Sequence, residues 1–352
     1  MDRKKALVWS LVLLVTALVG WKLATSHFDW RAFWQACRSV DWRLLLLATL
    51  ILYANFLARA ARWAVFLRPA LPLEKRITGR QLVGSQFIGF TGLAIMGRIG
   101  ELIRPYLVSR RTGLTFSSQI AVVAVERIFD LGAFGILFAG NLLLSPQLAA
   151  LPYSNRYRLF GYAIAAIIAV LCLFVVFTLY AGEAVARLFG GIAGKVSRSV
   201  GAAVSEKILE FRHGLHTIGS FQDFVLASVY SLLTWLAIVG SYVAVLRAFP
   251  PPVHDLTVSH VILLLGFSVV GSIVQLPGIG GGTQVLTITA LTVLFGIPKE
   301  LASSAGIILW AVSSMSVIPP GLLFARVEQV SLRAVAQQSG KADRVAEPHP
   351  VH

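Results

Sequence analysis

The stretch that decides the fold is Arg43-Leu-Leu-Leu-Leu-Ala-Thr-Leu-Ile-Leu-Tyr-Ala-Asn55-Phe-Leu-Ala-Arg59-Ala-Ala-Arg62-Trp-Ala-Val-Phe-Leu67. A hydrocarbon core about 30 Å thick needs about 20 helical residues, and this run is longer. Its polar residues, Asn55, Arg59 and Arg62, recur at steps of four and three, so they form one stripe near one end of a helix. Two readings of that stripe stand. The arginines can snorkel to the interface, or their paired guanidiniums can fork around a phosphate.

The rest of the chain extends this pattern. Of 352 residues, 57% are hydrophobic and 13% charged, with 31 Lys+Arg against 16 Asp+Glu and a formal net charge of +15. So apolar a chain cannot cover a soluble surface, and it is the opposite of a disordered composition. Nine apolar segments are present, roughly 7–25, 43–67, 82–97, 118–144, 159–181, 224–248, 257–276, 281–296 and 301–324. The first follows a basic start and is expected to remain as an uncleaved span. Segments 82–97 and 281–296 are short and rich in glycine, as re-entrant or broken helices are. The fold class expected is all-α: a polytopic helical membrane domain over residues 1–330, with a disordered cytoplasmic tail at 331–352.

Lys and Arg concentrate in the N-terminus, in connections 59–80, 98–117 and 182–223, and in the tail. Placing these inside requires an even number of crossings. If 82–97 dips and returns, eight crossings remain, with both termini cytoplasmic. The 182–223 connection carries a helical apolar stripe from Val185 to Ile218. That stripe suits either an interfacial helix on anionic lipid or a helix packed on a neighbouring segment.

An internal repeat is also legible. Gly97, Glu101 and Gly113 reappear as Gly280, Gln284 and Gly296, an offset of 183 (284 less 101, 296 less 113). Each unit has a Gly-rich apolar dip, a polar residue, a glycine turn and a small-residue helix start. Such repeats are a frequent plan in transporters.

Ionisable residues at membrane depth need a reason. Glu126, Arg127 and Asp130 sit in one apolar helix, either as a structural ion cluster or as a headgroup or proton site. Their excess of acid calls for an outside base, and the basic residues of 98–111 are the candidates. The run Gly97-Arg98-Ile-Gly100-Glu101-Leu-Ile-Arg104-Pro105 is the densest charged stretch beside a dip. The second dip, Leu276-Pro277-Gly278-Ile-Gly280-Gly281-Gly282-Thr283-Gln284, breaks a continuous helix. No nucleotide loop, metal spacing or nucleophile turn is found, so no catalytic residue, metal or cofactor is expected, and no enzyme. Cys37 and Cys172 suggest no disulfide framework.

The Gly97-Arg-x-Gly-Glu-x-x-Arg-Pro run, Arg110-Arg-Thr-Gly-Leu114 and Val123-x-Val-Glu-Arg-x-x-Asp130 resemble the lysylphosphatidylglycerol synthetase transmembrane region family. The resemblance covers about residues 7–330. It implies lipid translocation, without the lysyl-transfer chemistry of a separate soluble domain, and it carries over Arg98, Glu101, Arg104, Glu126, Arg127 and Asp130. The family often has a glutamate where this chain has Gln284. The expectation is thus a flippase or transporter for an anionic phospholipid or polyprenyl-linked lipid in the bacterial cytoplasmic membrane. Arg59, Arg62, Arg98 and Arg104 would hold the headgroup, while Glu101, Glu126, Arg127 and Asp130 pair or couple. Alternatives are a membrane glycosyltransferase using a polyprenyl carrier and a non-transporting scaffold for envelope-lipid enzymes. Expected partners are membrane lipids, with a second copy of the chain or an envelope-lipid enzyme beside them, and no nucleic acid.

Overall fold

The computed structural model describes residues 28–71, 77–149, 154–195, 197–215, 219–276 and 280–330. The segment 7–25, the tail 331–352, Pro277 and Gly278 lie outside the described residues, as does the side chain of Arg98. The fold is helical. Its elements are α1 (Trp30–Arg38), α2 (Trp42–Leu67), α3 (Gly79–Met96), a 3-10 turn (Gly97–Leu102), α4 (Ile103–Thr112), α5 (Phe116–Leu144), α6 (Ser154–Gly194), α7 (Arg198–Leu215), α8 (Phe221–Arg247), α9 (Val258–Gly271), α10 (Gly282–Val293), α11 (Lys299–Trp310) and α12 (Ile318–Val327). A π-helical turn, Ala311–Met315, joins the last two.

Hydroxyl residues start several of these helices. Thr78, Thr115, Ser220 and Thr257 each accept a backbone N–H three residues on, filling donors that the first turn leaves open. Gly113 and Gly296 follow α4 and α10 with φ of 74° and 64°, a region that favours glycine.

Among the described residues, Trp42–Leu67, Phe221–Arg247 and Lys299–Val327 are long and apolar enough to cross a membrane. α5 has the length but carries Glu126, Arg127 and Asp130. α6 is broken at Ala181, whose φ of −133° and ψ of 37° leave the helical region. α2 and α8 pack antiparallel. Arg68 pairs with Asp223 at 3.0 Å at one end, and the Asp41 N–H donates to the Ala248 carbonyl at 2.9 Å at the other.

Segment 82–97 turns back, as expected. α4 returns along α3: Arg111 Nη1 donates to the Gln81 carbonyl at 2.5 Å, and Arg104 Nη1 donates to Gln86 Oε1 at 2.9 Å. The tip closes because a Cβ on Gly100 would lie 2.1 Å from the Gly92 carbonyl carbon. Segments 257–276 and 281–296 pack on each other. They are the two legs of a second hairpin, α9 and α10, of 14 and 12 residues. At 1.5 Å per residue these rise about 21 and 18 Å, short of about 30 Å. A Cβ on Gly271 would lie 2.4 Å from the Gly282 carbonyl oxygen. Beyond it, Gln275 and Leu276 pair antiparallel with Gly281 and Gly280.

The repeat extends through the fold. α11–α12 starts and ends 183 residues after α5 (299 less 116, 327 less 144). The hairpin α3–α4 enters from the end where α2 finishes, and α9–α10 enters from the end where α8 finishes. Since α2 and α8 run antiparallel, the two units are inverted, the arrangement of many membrane transporters.

The 182–223 stripe packs on a neighbour. α7 folds back on α6 around Val185, Ala186 and Ile208, and Ser205 Oγ donates to the Ala186 carbonyl at 3.0 Å. Leu188, Phe189, Ile192 and Val200 stay exposed on the same pair.

Alanine at Gly100 should break the first hairpin, because backbone would have to yield to a methyl group. Overpacking of this kind costs about 1–3 kcal/mol or more. Gly132, where a Cβ meets nothing within 4 Å, is the control. Thermal melting of detergent-purified protein should fall for Gly100→Ala and stay at wild type for Gly132→Ala.

Candidate functional site

The polar stripe of α2 faces the acidic face of α5, and the arginine of α4 completes the group. Arg62 Nη1 lies 2.6 Å from Asp130 Oδ1, and its Nη2 lies 2.6 Å from Glu126 Oε1. Arg104 Nη2 lies 2.5 Å from Glu126 Oε2. Arg59 Nη1 stands farther off, 3.6 Å from each carboxylate. All five residues are buried, Arg62 fully and Arg59 to 7% exposure. An ionised side chain this deep survives only when paired and hydrogen-bonded. Neutral partners add to these pairs: Ser231 Oγ of α8 accepts from Arg62 at 2.7 Å, Gln86 Oε1 accepts from Arg104, and Asn55 Oδ1 accepts from Arg59 Nε at 3.3 Å, while Arg62 Nε and Gln86 Nε2 are buried without a partner among the described residues. The Arg104 guanidinium lies 4.2 Å from the centre of the Trp63 ring, and that of Arg59 lies 5.2 Å from Phe90, distances at which ring quadrupoles attract cations.

The count is three guanidiniums to two carboxylates, a surplus of one positive charge. Arg62 and Arg104 are committed by short contacts, so the surplus resides on Arg59. The three guanidiniums and two carboxylates thus form one buried ion cluster.

Other expected positions lie elsewhere. Glu101 does not join the buried group. It meets Arg127 at 3.6 Å, both side chains being more than two-fifths exposed, so these two form a surface pair. Arg104 takes Glu126 rather than Glu101. Gln284, the counterpart of Glu101, accepts the Gly281 N–H at 2.5 Å and so caps α10; Gly281 has φ of 133°, and Gly282 supplies the close approach to Gly271. In the second unit, Tyr242, Ser268, Thr287 and Ser313 lie 183 residues after Arg59, Ser85, Arg104 and Asp130. Ser268 Oγ lies 2.7 Å from Thr287 Oγ1. The inverted repeat thus has a charged centre in one unit and a neutral hydroxyl centre in the other.

Sequence reasoning missed Gln86 and Ser231. Gln86 carried a usable signal, a lone amide inside an apolar segment. Ser231 carried none, since a serine can satisfy itself on its own helix, as its bond to the Ala227 carbonyl shows.

Residues 8–321 match the family described as lysylphosphatidylglycerol synthase TM region. The chain belongs to that family. A "UPF0104 membrane protein" of Methanothermobacter thermautotrophicus is 28% identical over 326 residues, covering 89% of this chain and 90% of the relative. "Glycosyltransferase AglD" of Haloferax volcanii is 32% identical over 143 residues, which is 39% of this chain and 22% of that protein. The lysylphosphatidylglycerol synthase description and the glycosyltransferase relative overturn the expectation that the chain is not an enzyme, since both names point toward enzymatic function. They agree with a membrane protein of lipid metabolism.

Glu126 is the shared acceptor of the site, so Glu126→Gln should destabilise the protein by about 3–5 kcal/mol, the range for stranding a buried partner. Replacing the pair together, Arg104→Met with Glu126→Leu, should recover part of that loss, because it strands fewer charges. Denaturation curves of the three proteins in one detergent check both outcomes.

Proposed function

We propose that this protein carries an anionic lipid headgroup through the bilayer, with Arg59 as its contact. The observation that carries the reading is the surplus guanidinium. Arg59 is held by Asn55 and Phe90 yet is only 3.6 Å from each carboxylate. A phosphate or phosphodiester complements that charge. Glu126 and Asp130 hold Arg62 and Arg104 in place around it. Arg98 and the exposed Glu101–Arg127 pair border the first hairpin at its tip and serve the approach of the headgroup, while acyl chains stay against the exposed apolar side chains of α2 and α8, such as Leu50, Leu57 and Leu232. The inverted units supply two related half-paths, with re-entrant backbone protected by protein.

In this reading the membrane is the bacterial cytoplasmic membrane, and the end bearing connections 59–80, 98–117 and 182–223 faces the cytoplasm. The lipid is an anionic phospholipid or a polyprenyl-linked lipid. A second reading rests on the 143-residue likeness to the glycosyltransferase: the domain serves an enzyme that transfers a lipid-linked sugar. Incubation with polyprenyl-linked sugar and recovery of a glycosylated product would favour it.

Proteoliposomes of the wild type should scramble labelled phosphatidylglycerol faster than empty liposomes. Arg59→Gln should slow this about tenfold with little change in melting temperature, because no short ion pair is lost. Equal rates for the two proteins remove Arg59 from the path, and a wild-type rate no higher than empty liposomes removes the transport reading. For orientation, cysteines at Arg110 and Asp255 in a Cys37→Ser, Cys172→Ser background should differ in intact cells: an impermeant maleimide should label position 255 and spare position 110.

A further inference from the structure

At the end of the bundle opposite the first hairpin's mouth lies a cavity of about 540 Å³, lined by Gly140, Asn141, Ser145, Gln147, Arg247 and Ser259 among others. Its size falls within the range of small-ligand sites, about 300–1,000 Å³. The ends of α5 and α8 and the start of α9 build it. The α5–α9 side is held by a polar strap. Asn141 Nδ2 donates to the Ser259 carbonyl at 3.0 Å, Ser259 Oγ donates to Asn141 Oδ1 at 2.7 Å, and Ser259 Oγ lies 2.5 Å from Ser145 Oγ.

The cation of this cavity is Arg247, which is exposed. The inverted repeat shows what is unusual about it. At the other end of the same antiparallel pair, Arg68 closes on Asp223 at 3.0 Å. Here the corresponding acid, Asp41, caps α2 by accepting the Arg43 N–H at 2.9 Å. Among the described residues no carboxylate pairs with Arg247. A second positive element adjoins it. Thr257 caps the 14-residue α9, its N–H donating to His260 Nδ1 and its Oγ1 accepting the His260 N–H, and the next two residues, Val258 and Ser259, line the cavity at the positive end of the helix dipole. The rim is apolar: Leu144 and Val258, both lining residues, are 82% and 50% exposed.

We propose that this cavity is a second headgroup site, taking the phosphodiester of an anionic lipid from the leaflet opposite the basic end. The guanidinium and the α9 start take the phosphate oxygens. The exposed side-chain amide of Gln147, oriented by Ser145 Oγ, which donates to its Oε1 at 2.8 Å, takes a hydroxylated headgroup, and Leu144 and Val258 meet the chains. The proposal rests on the lipid-transport reading for its purpose, but its binding chemistry is independent of movement. A free phosphate shares the charged part of that chemistry and lacks the apolar part.

The test uses the full chain in nanodiscs of phosphatidylcholine containing a minor fraction of phosphatidylglycerol, with retained lipid read by native mass spectrometry. The wild type should retain phosphatidylglycerol preferentially. Arg247→Gln should lower that preference about tenfold, the value of one charge-assisted contact of roughly 1.5 kcal/mol, and Arg247→Lys should keep part of it. Gly140→Leu fills the cavity without touching a charge. Since a Cβ there meets nothing within 4 Å, this variant should fold and also lose the preference. Equal retention by wild type, Arg247→Gln and Gly140→Leu overturns the site. Binding of inorganic phosphate that depends on Arg247, without lipid preference, overturns the lipid assignment in favour of a free phosphate. Retention does not require transport, so a protein that binds here and scrambles nothing fails the transport reading alone.

Discussion

Two carboxylates and three guanidiniums lie among helices whose other faces are apolar, and they must satisfy one another. Glu126 accepts from Arg62 and Arg104 at once, and Asp130 accepts from Arg62. These contacts join α2, α4 and α5, while Ser231 and Gln86 add α8 and α3. In a solvent with no water to replace a lost partner, such a network fixes which helix faces meet. Nonpolar contact alone would not, since lipid chains attract leucine as well as another helix does. The surrounding packing follows from it: Trp63 and Phe66 pack with Leu82, Val108, Val122, Val125 and Ala227.

The glycine contacts supply the second constraint. Each hairpin must return within a few residues, and each does so where two glycines let backbones touch, Gly92 with Gly100 and Gly271 with Gly282. The hairpins then differ in what they hold. The first brings a charged arginine to the Glu126 carboxylate, and the second brings threonine to serine. An inverted repeat with unlike centres gives the two ends different chemistry, with the surplus positive charge buried in one half and an open, cation-bearing cavity at the far end of the bundle.

Much of this was legible along the chain. The apolar runs marked α2, α5, α8 and α11–α12 to within a few residues, because the bilayer imposes one length and one polarity. The offset of 183 in Gly97, Glu101 and Gly113 announced the repeat, and the excess of acid at Glu126 and Asp130 in an apolar helix announced a partner. Segments 257–276 and 281–296 are neighbours in the sequence, and the second is marked by its glycines as a broken or re-entrant helix. Their shortness was readable, but their return on each other depends on the Gly271–Gly282 contact, which is a relation between distant residues. Glu101 pairs with Arg127 at the surface, apart from the buried acids, for a similar reason. Charge and neighbourhood were readable, and burial was not.

The sequence by itself determined the class of fold, the helical segments, the repeat and the identity of the charged residues, because these follow from local polarity and spacing. Only the tertiary structure decided which charges meet. Arg59 and Arg62 come from one segment and Arg104 from another, and their distances to the carboxylates of a third run from 2.5 Å at Arg104 to 3.6 Å at Arg59. The opposite directions of α2 and α8 follow already from the basic connections 59–80 and 182–223 at the end of one and the start of the other; only the structure decided that the two helices pack on each other, because that contact joins residues distant in the chain.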